Sequence, residues 1–574
     1  MSIINRLNYS YILLLLIISF NQASSQDHFS RRQLTDVRHY SFSISLSDTS
    51  DMIYGDAVIT VMFKEPVPTF TLDLADKDED GKGMIINSVK EDGKVVWYTH
   101  HDDILTINVD TNQDSKIRNY RITYAGIPSD GLIISENKYG DRTFFGDNWP
   151  DRAHNWIPCI DHPSDKATVE FKVTAPEHYR VIANGRMVEE TDLSHHYKFT
   201  HWQTDVPLPT KVMVIGVADF AVENVENELN IPVSTWVYPQ NEEEGFRDYR
   251  IAIEPLEYFI RQIGPYPFAK LANVQSTTLY GGMENAGNIF YQERLVTGRQ
   301  QQEGIIAHEI GHQWFGNTVT EGNWHHVWLS EGFATYLTDL YMEYKYGEDR
   351  FRMRMERERN IVTRYAGRNP SRVIDTMITN YRDLLNANSY EKGAWFLHML
   401  RKELGDELFW KCLQSFYKEY QYSNALSEDF QHVIESLSGK DLEYFFKQWL
   451  YKPGHPVLDI HWKQKNSKIK LEIEQIQKEP IFIFPLELEL VFRNGSQRIE
   501  RVMIDQPLEK FTISANINVK KIIPDPEVWL LFEVGELVNC SVRIFIQDRS
   551  DLNELSRTPA SRQAGIPSSE ANRE

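Results

Sequence analysis

Apolar and polar residues alternate along the first part of the chain. Between residues 34 and 221, apolar side chains recur at every second position, as Phe42, Ile44 and Leu46 do among serines. A period of two with many β-branched residues predicts strands that bury one face. Turn pairs such as Asn184-Gly185 separate these runs. The pattern therefore predicts an all-β domain over residues 34–225, either a sandwich or an open saddle of sheets.

From about residue 241 the apolar period lengthens to that of a helix. Gly264-Pro265 and Pro453-Gly454 predict helix ends. The predicted helices cover residues 246–263, 300–315, 330–346, 348–365, 390–404, 407–420 and 441–451. Alternation then returns in residues 457–462, 469–476, 482–492, 502–504 and 511–519. We expect a mostly helical domain over 226–454 and a small C-terminal β-sandwich over 455–535.

These patterns predict the α+β fold class, because strands and helices occupy separate parts of the chain. The protein should be multidomain, because 574 residues exceed what one hydrophobic core usually organises. Residues 536–574 are rich in Ser, Arg and Asn, a composition that predicts a disordered tail. The first 25 residues are typical of an export signal, with Arg6, a short apolar run over 11–20 and the small residues Ala23-Ser24-Ser25. That run is half of the ~20 residues that span a bilayer. We therefore expect a secreted or periplasmic protein with no transmembrane anchor in the mature chain; an uncleaved anchor is the alternative.

Charge and cysteine content narrow the classes of partner. The formal net charge is −21 and the sequence has no basic run, which argues against a nucleic acid partner. The three cysteines, Cys159, Cys412 and Cys540, are far apart, so they indicate neither a disulfide scaffold nor a cysteine metal site. None of these features indicates an oligomeric state.

The sharpest chemical motif is His308-Glu309-Ile310-Gly311-His312, inside a predicted helix. Residues four apart on a helix lie about 40° apart around its axis, so the two imidazoles share one face. Two neutral imidazoles so placed hold a zinc ion, and the adjacent carboxylate reaches the water bound to it. Glu309 would accept the proton of that water. An amphipathic helix with incidental histidines is the plain alternative.

A third ligand is predicted nineteen residues later, where Glu331 follows Ser330 at the start of the next predicted helix. Residues 317–327 give enough chain to fold this helix back against the first. Two histidines and a glutamate are a catalytic rather than a structural zinc set. We expect Ser330 to cap the helix. Taken alone, Glu331 is equally well explained as a carboxylate favoured by the helix dipole.

Two further motifs are weaker when they are considered alone. In Gly281-Gly282-Met283-Glu284-Asn285, paired glycines let the backbone approach a ligand, and the carboxylate could hold an ammonium group. The plain alternative is a glycine turn followed by an exposed glutamate that has no role in binding. Tyr390, in Tyr390-Glu391-Lys392-Gly393, offers a phenol that could donate to an oxyanion. A tyrosine at a helix start more often serves packing.

The four motifs, in this order and spacing, resemble the aminopeptidase N family of gluzincins, the group to which leukotriene hydrolase also belongs. The resemblance extends from about residue 34 to about residue 532. It implies a thermolysin-like catalytic domain, one zinc ion per chain, and peptide substrates with a free amino terminus. The residue roles that it implies are zinc binding by His308, His312 and Glu331, general base catalysis by Glu309, oxyanion stabilisation by Tyr390, recognition of the α-amino group by Glu284, and lining of the peptide groove by Gly281, Gly282 and Met283.

The sequence departs from the family pattern in three places. The acidic residue common seven positions after the ligand glutamate is replaced by Thr338, with Asp339 beside it. Residues 146–158 lack the expected pattern centred on glutamine or glutamate, and Asn148 is the candidate substitute. Many relatives continue into a large helical domain, whereas this sequence ends after the small β domain, which suggests a more open cleft.

These observations predict a zinc aminopeptidase. A zinc endopeptidase with an open cleft would share the metal motif but would not need Glu284. An epoxide hydrolase activity belongs to a branch of the family with the additional helical domain. A non-enzymatic protein on the same scaffold should have lost a ligand or the base, and this sequence retains all of them.

Overall fold

The structure is a computed structural model that describes residues 34–111, 115–478 and 480–539. The predicted signal peptide and residues 540–574 of the predicted tail lie outside the described residues, whereas residues 536–539, also predicted to be disordered, form the end of a strand. The chain divides into two compact units. Within the described residues, the first comprises 34–456, 478–482 and 525–533, and the second comprises 457–477, 483–524 and 534–539.

The N-terminal part of the first unit is β-rich, as predicted. Its strands are β1 Thr35–Ser45, β2 Ile53–Phe63, β3 Thr69–Asp73, β4 Gly83–Glu91, β5 Lys94–Val95, β6 Tyr98–His101, β7 Ile104–Asn108, β8 Ile117–Ile127, β9 Leu132–Glu136, β10 Arg142–Gly146, β11 Lys166–Pro176, β12 Arg180–Ala183, β13 Arg186–Leu193, β14 Tyr197–Gln203, β15 Leu208–Pro209 and β16 Ile215–Ala218. The largest sheet has the order β13-β14-β11-β1-β2-β8-β4-β5, with β15 also on β11. Two smaller sheets have the orders β12-β16-β10-β9 and β3-β7-β6.

The core of this part follows from the alternation seen in the sequence. Along β2, buried residues stand at every second position from Ile53 to Phe63. Strands β1 and β11 pair in parallel with Phe42 opposite Phe171, whose rings lie 5.6 Å apart. One face of the large sheet is therefore covered by the main hydrophobic cluster.

The central part of the first unit is mostly helical, as predicted. Its helices are α1 Glu242–Tyr249, α2 Ile253–Gln262, α3 Glu303–Gly311, α4 Trp328–Tyr346, α5 Glu348–Ala366, α6 Gly393–Leu404, α7 Asp406–Tyr420, α8 Ser427–Ser438 and α9 Glu443–Leu450. A five-stranded sheet of order β17-β18-β19-β21-β20 accompanies them. Its strands are β17 Ala221–Val225, β18 Val233–Val237, β19 Leu271–Ser276, β20 Gly282–Met283 and β21 Asn288–Gln292, and a separate pair is formed by β22 Val319–Glu321 and β23 Ser423–Ala425.

The second unit is β-rich, again as predicted. Its strands are β24 Val457–Lys465, β25 Lys468–Gln475, β26 Phe484–Phe492, β27 Gln497–Ile504, β28 Leu508–Ser514, β29 Val519–Pro524 and β30 Glu533–Asn539. They form sheets of order β28-β25-β24-β30 and β27-β26-β29. Among the described residues of the whole chain, no helix is long and apolar enough to cross a membrane.

Candidate metal centre and peptide-binding cleft

Helices α3 and α4 bring the three predicted metal ligands together. The Nε2 atoms of His308 and His312 lie 3.0 Å apart, and each lies 3.4 Å from Glu331 Oε2. Ligands about 2.0–2.1 Å from a tetrahedral zinc ion are separated by about 3.3 Å. The three atoms are therefore spaced as three corners of a zinc site.

The orientation of His312 also fits a metal ligand. Its Nδ1 lies 3.0 Å from Ser330 Oγ and 3.3 Å from the carbonyl oxygen of Phe315. Because a carbonyl oxygen only accepts, Nδ1 carries the hydrogen in the neutral imidazole, and the Nε2 lone pair is then free for a metal. A Cβ at Gly316 would overlap Ser330 Oγ, so glycine is needed there. Ser330 was predicted as a helix cap; α4 instead begins at Trp328, without a side-chain cap, and Ser330 contacts His312.

The charges around the ligands favour a cation. Glu284, Glu309 and Glu331 are all buried, and candidate ligand atoms of Glu284, Glu309 and His312 lie within 4.8 Å of one another. Burial opposes protonation of His312, but the charges of Glu331 and Glu284 raise its pKa to about 9. Three buried carboxylates around two imidazoles are an unfavourable set without added positive charge, which a divalent cation would supply.

Glu309 projects from α3 toward the glycine-rich segment. A Cβ on Gly282 would overlap the Glu309 carboxylate, so a side chain at 282 would displace the predicted base. Burial raises the pKa of Glu309 well above its usual range, and His312 opposes this shift. A nearby dication would likewise favour the ionised form that a base requires.

The segment that carries Glu284 is tied to the chain after α3. The Glu284 carbonyl accepts hydrogen bonds from Gln313 Nε2 at 2.9 Å and Asn317 Nδ2 at 2.6 Å. The backbone N–H of Gly287 donates to Gln313 Oε1 at 2.9 Å. Gln313 and Asn317, to which the sequence analysis gave no role, therefore position Glu284; their place directly after His312 in the sequence was the available signal. Within the described residues, the buried Oε1 of Glu284 has no hydrogen-bond partner.

Tyr390 lies on a π-helical turn, Asn388–Lys392, immediately before α6. Its ring stacks on the His308 imidazole with centroids 6.0 Å apart and planes 13° apart. Burial, aided by the charges of Glu331, Glu284 and Glu309, raises the pKa of the phenol well above its usual value, which keeps it a donor. π-Turns within helices are frequent at functional sites.

Most of the predicted residues line one cavity of about 60 Å³. Its lining is Trp149, Tyr280, Gly282, Met283, Glu284, His308, Glu309, His312, Glu331, Leu385 and Tyr390. Gly281 lies just outside this lining, where its carbonyl accepts a hydrogen bond from the Gln292 N–H. Trp149, Tyr280 and Leu385 were not predicted.

The departures from the family pattern have structural explanations. Thr338 donates to the Ala334 carbonyl of its own helix, whereas the buried Asp339 accepts from Arg354 and interacts electrostatically with His308. Asn148 is not at the site, because its amide group holds the Thr210 and Met213 carbonyls and the Trp156 indole. Its neighbour Trp149 faces the cavity instead.

Comparison with known families and proteins agrees with this geometry. The model of the Peptidase family M1 domain matches residues 249–449, and that of the Peptidase M1 N-terminal domain matches residues 37–212. The two matches cover the β-rich N-terminal part and the part that carries the candidate ligands.

Similar proteins include a "Probable aminopeptidase 2" of Sulfurisphaera tokodaii, 28% identical over 77% of this chain and 58% of its own length. "Aminopeptidase M1" of Arabidopsis thaliana is 29% identical over 56% of this chain and 38% of its own length. "Glutamyl aminopeptidase" of Bitis rhinoceros is 28% identical over 55% of this chain and 34% of its own length. The chain thus spans about a third to three fifths of the length of these relatives.

Proposed function

Since the chain belongs to the M1 family of peptidases, we propose that it is a zinc-dependent aminopeptidase that removes residues from peptides with a free amino terminus. His308, His312 and Glu331 would hold one zinc ion. The observation that carries the proposal is Glu284, whose buried carboxylate has an oxygen without a partner in the described residues and shares a small cavity with the three ligands.

Glu284 distinguishes cleavage at the amino end from internal cleavage. A substrate ammonium would give the carboxylate a charge-assisted partner, and such hydrogen bonds are roughly twice as strong as neutral ones. Because Glu284 shares a small cavity with the candidate ligands, a peptide that continued past its amino end would leave this buried carboxylate without a charged partner. An endopeptidase needs neither feature.

The side chains divide the chemistry among them. Zinc bound at this site would act as a Lewis acid on the scissile carbonyl and lower the pKa of a coordinated water toward 7. Glu309 accepts the proton of the attacking water. Tyr390, protonated and stacked on His308, donates to the oxyanion that develops on the carbonyl. Glu284 fixes the amino end, so that the first peptide bond is the one presented.

The test is turnover of aminoacyl amides and of their N-acetyl counterparts by the purified protein, with and without a chelator. Free amides should be cleaved, N-acetyl amides should be inert, and chelation should abolish cleavage. Glu284→Gln should lower kcat/KM for free amides by ~30-fold or more, the factor equal to about 2 kcal/mol. Glu257→Gln, on the exposed face of α2, is the matched control and should change nothing. Efficient internal cleavage of an N-acetylated peptide would refute the proposal in favour of an endopeptidase.

We also propose, from the sequence of residues 1–25 alone, that the protein acts outside the cytoplasm as a secreted or periplasmic enzyme. Amino-terminal sequencing of protein exported by the native host tests this. A mature terminus near residue 26 is expected, whereas an intact leader on intracellular protein would contradict it.

A further inference from the structure

Large side chains occupy most of the space beside the candidate metal centre. The cavity of about 60 Å³ is lined by Trp149, Tyr280, Met283 and Leu385 in addition to the polar residues. An engineered cavity of roughly 150 Å³ holds one benzene molecule. The cavity here is smaller and partly open to solvent, so the side chain of a substrate's first residue would have to fit against the wall that these large side chains form.

Trp149 forms the most rigid part of this wall. Its side chain is 2% exposed and packs edge to face against Trp324, with ring centroids 5.7 Å apart, and against Tyr280 at 6.3 Å. Trp324 is itself fixed, because Tyr381 stacks on it at 5.5 Å and Lys211 Nζ lies 5.5 Å from its ring centroid. An indole held between two rings cannot turn aside without disturbing both.

The backbone at Trp149 is also fixed on both sides. Asn148 before it bonds to the carbonyls of Thr210 and Met213. The Trp149 carbonyl accepts a hydrogen bond from Arg152 Nε at 2.8 Å. By contrast, Tyr280 and Leu385 are partly exposed, and Met283 has a flexible side chain. Of the apolar lining residues, Trp149 is therefore the one least able to make room.

From this packing, and resting on the proposed aminopeptidase function, we propose that Trp149 is the specificity-determining residue of the cleft, and that it restricts substrates to peptides beginning with a small residue such as glycine, alanine or serine. Trp149 contacts the side chain of the first residue when that side chain is small, and it fills the space that a larger side chain would need. The N-terminal part of the chain thus sets which amino end reaches the metal centre in the central part.

The experiment measures kcat/KM of the zinc-loaded full chain on glycyl, alanyl, leucyl and phenylalanyl amides. Wild type should prefer alanyl over phenylalanyl amide by at least about tenfold, since a single methylene already gives about 10–200-fold discrimination in such pockets. Trp149→Ala should shift this ratio toward phenylalanyl amide by at least about tenfold, and Trp149→Phe should give a smaller shift in the same direction. Trp97→Ala, which removes a tryptophan that is 79% exposed, is the matched control and should leave the ratio unchanged.

The outcomes separate this inference from the proposed function. If wild type cleaves none of the amides while loaded with zinc, the aminopeptidase proposal fails. If it cleaves phenylalanyl or leucyl amide as well as alanyl amide, only the inference about Trp149 fails. Zinc content and thermal unfolding show whether each variant is folded. If folded Trp149 variants keep the wild-type ratio, another residue sets the preference; if neither variant folds, the wild-type panel still decides the size limit.

Discussion

Glu309 and Glu331 are both buried glutamates beside His312, but they should respond differently to substitution. Glu331→Ala removes one of three ligands and should remove the metal and the activity together. Glu309→Gln should retain the metal and lose about 10²–10⁴-fold in kcat, because no side chain then accepts the proton. Glu303→Gln, the same change in the first turn of α3, should keep both properties. Metal analysis and kinetics on the three variants test this; full metal content in Glu331→Ala would remove that residue from the ligand set.

Tyr390→Phe isolates the phenolic hydroxyl while preserving the ring that stacks on His308. Loss of one oxyanion donor should lower kcat by about 10²–10³-fold and leave KM nearly unchanged. Steady-state kinetics distinguish this from a binding role, in which KM would rise at constant kcat.

The three side chains of the candidate metal centre, which the structure places together, could be named from the sequence because the spacing of two histidines on one helix is chemically informative. The residues that support them were harder to assign, because a glutamine or a tryptophan has many uses. Gln313 acts through the Glu284 carbonyl, a contact between segments far apart in the sequence. Trp149 faces the cavity, whereas its neighbour Asn148, the candidate substitute in the sequence, holds the Thr210 and Met213 carbonyls.

Glu331, the candidate metal ligand on α4, and the π-turn that carries Tyr390 are held in place by a contact between two glycines. A Cβ on Gly332 would lie 2.9 Å from the Gly393 Cα, and a Cβ on Gly393 would lie 3.0 Å from the Gly332 Cα. These glycines follow Glu331 by one residue and Tyr390 by three. A methyl group on either would therefore push the metal ligand away from the proposed oxyanion donor.

Gly393→Ala should lower the free energy of unfolding by about 1–3 kcal/mol, the usual effect of overpacking, and should also reduce kcat. Gly304→Ala on α3 is the control, since its new methyl group meets only a methionine methyl at 3.8 Å. That change should raise stability by about 0.5–1 kcal/mol, because alanine loses less conformational entropy in a helix. Denaturant unfolding of both variants tests this contrast. If both variants had the same free energy of unfolding, α4 and α6 would be able to move apart at little cost, and the prediction would be wrong.

The sequence analysis predicted most of the helices of the central part but missed its sheet and one helix. The predicted helix 246–263 is divided into α1 and α2, because Pro255 lacks the N–H that a helix interior needs and is accommodated in the first turn of α2. The central sheet was not predicted: β19 is buried at every position and so shows no alternation. Helix α8 was also missed, although Phe430, Val433, Ile434 and Leu437 have helical spacing.

At the level of the whole molecule, the order of β-rich, helical and β-rich parts was predicted correctly because each part has a single dominant period. The sequence could not show that the first two parts build one cleft together. Trp149 comes from the first part, and the ligands come from the second. A buried ion pair joins the same two parts: Lys211 Nζ lies 2.5 Å from Glu321 Oε1, and neither side chain is more than 1% exposed.

Lys211→Met should destabilise the protein by about 3–5 kcal/mol, because it leaves a carboxylate buried without its partner. Burial already raises the pKa of Glu321, and Lys211 is the main group opposing this. Without Lys211 the folded-state pKa rises further above the unfolded value of about 4.3. A carboxyl with a raised pKa binds its proton more tightly in the folded state. The loss of unfolding free energy in the variant should therefore be small below about pH 4 and grow toward neutral pH.

The double variant Lys211→Met/Glu321→Gln should recover part of the loss, whereas Arg247→Met, which breaks the exposed pair with Glu243, should cost less than about 1 kcal/mol. Unfolding measured at pH 5 and pH 8 tests the sign; a deficit that shrinks as the pH rises would show that Glu321 is not the group left unpaired.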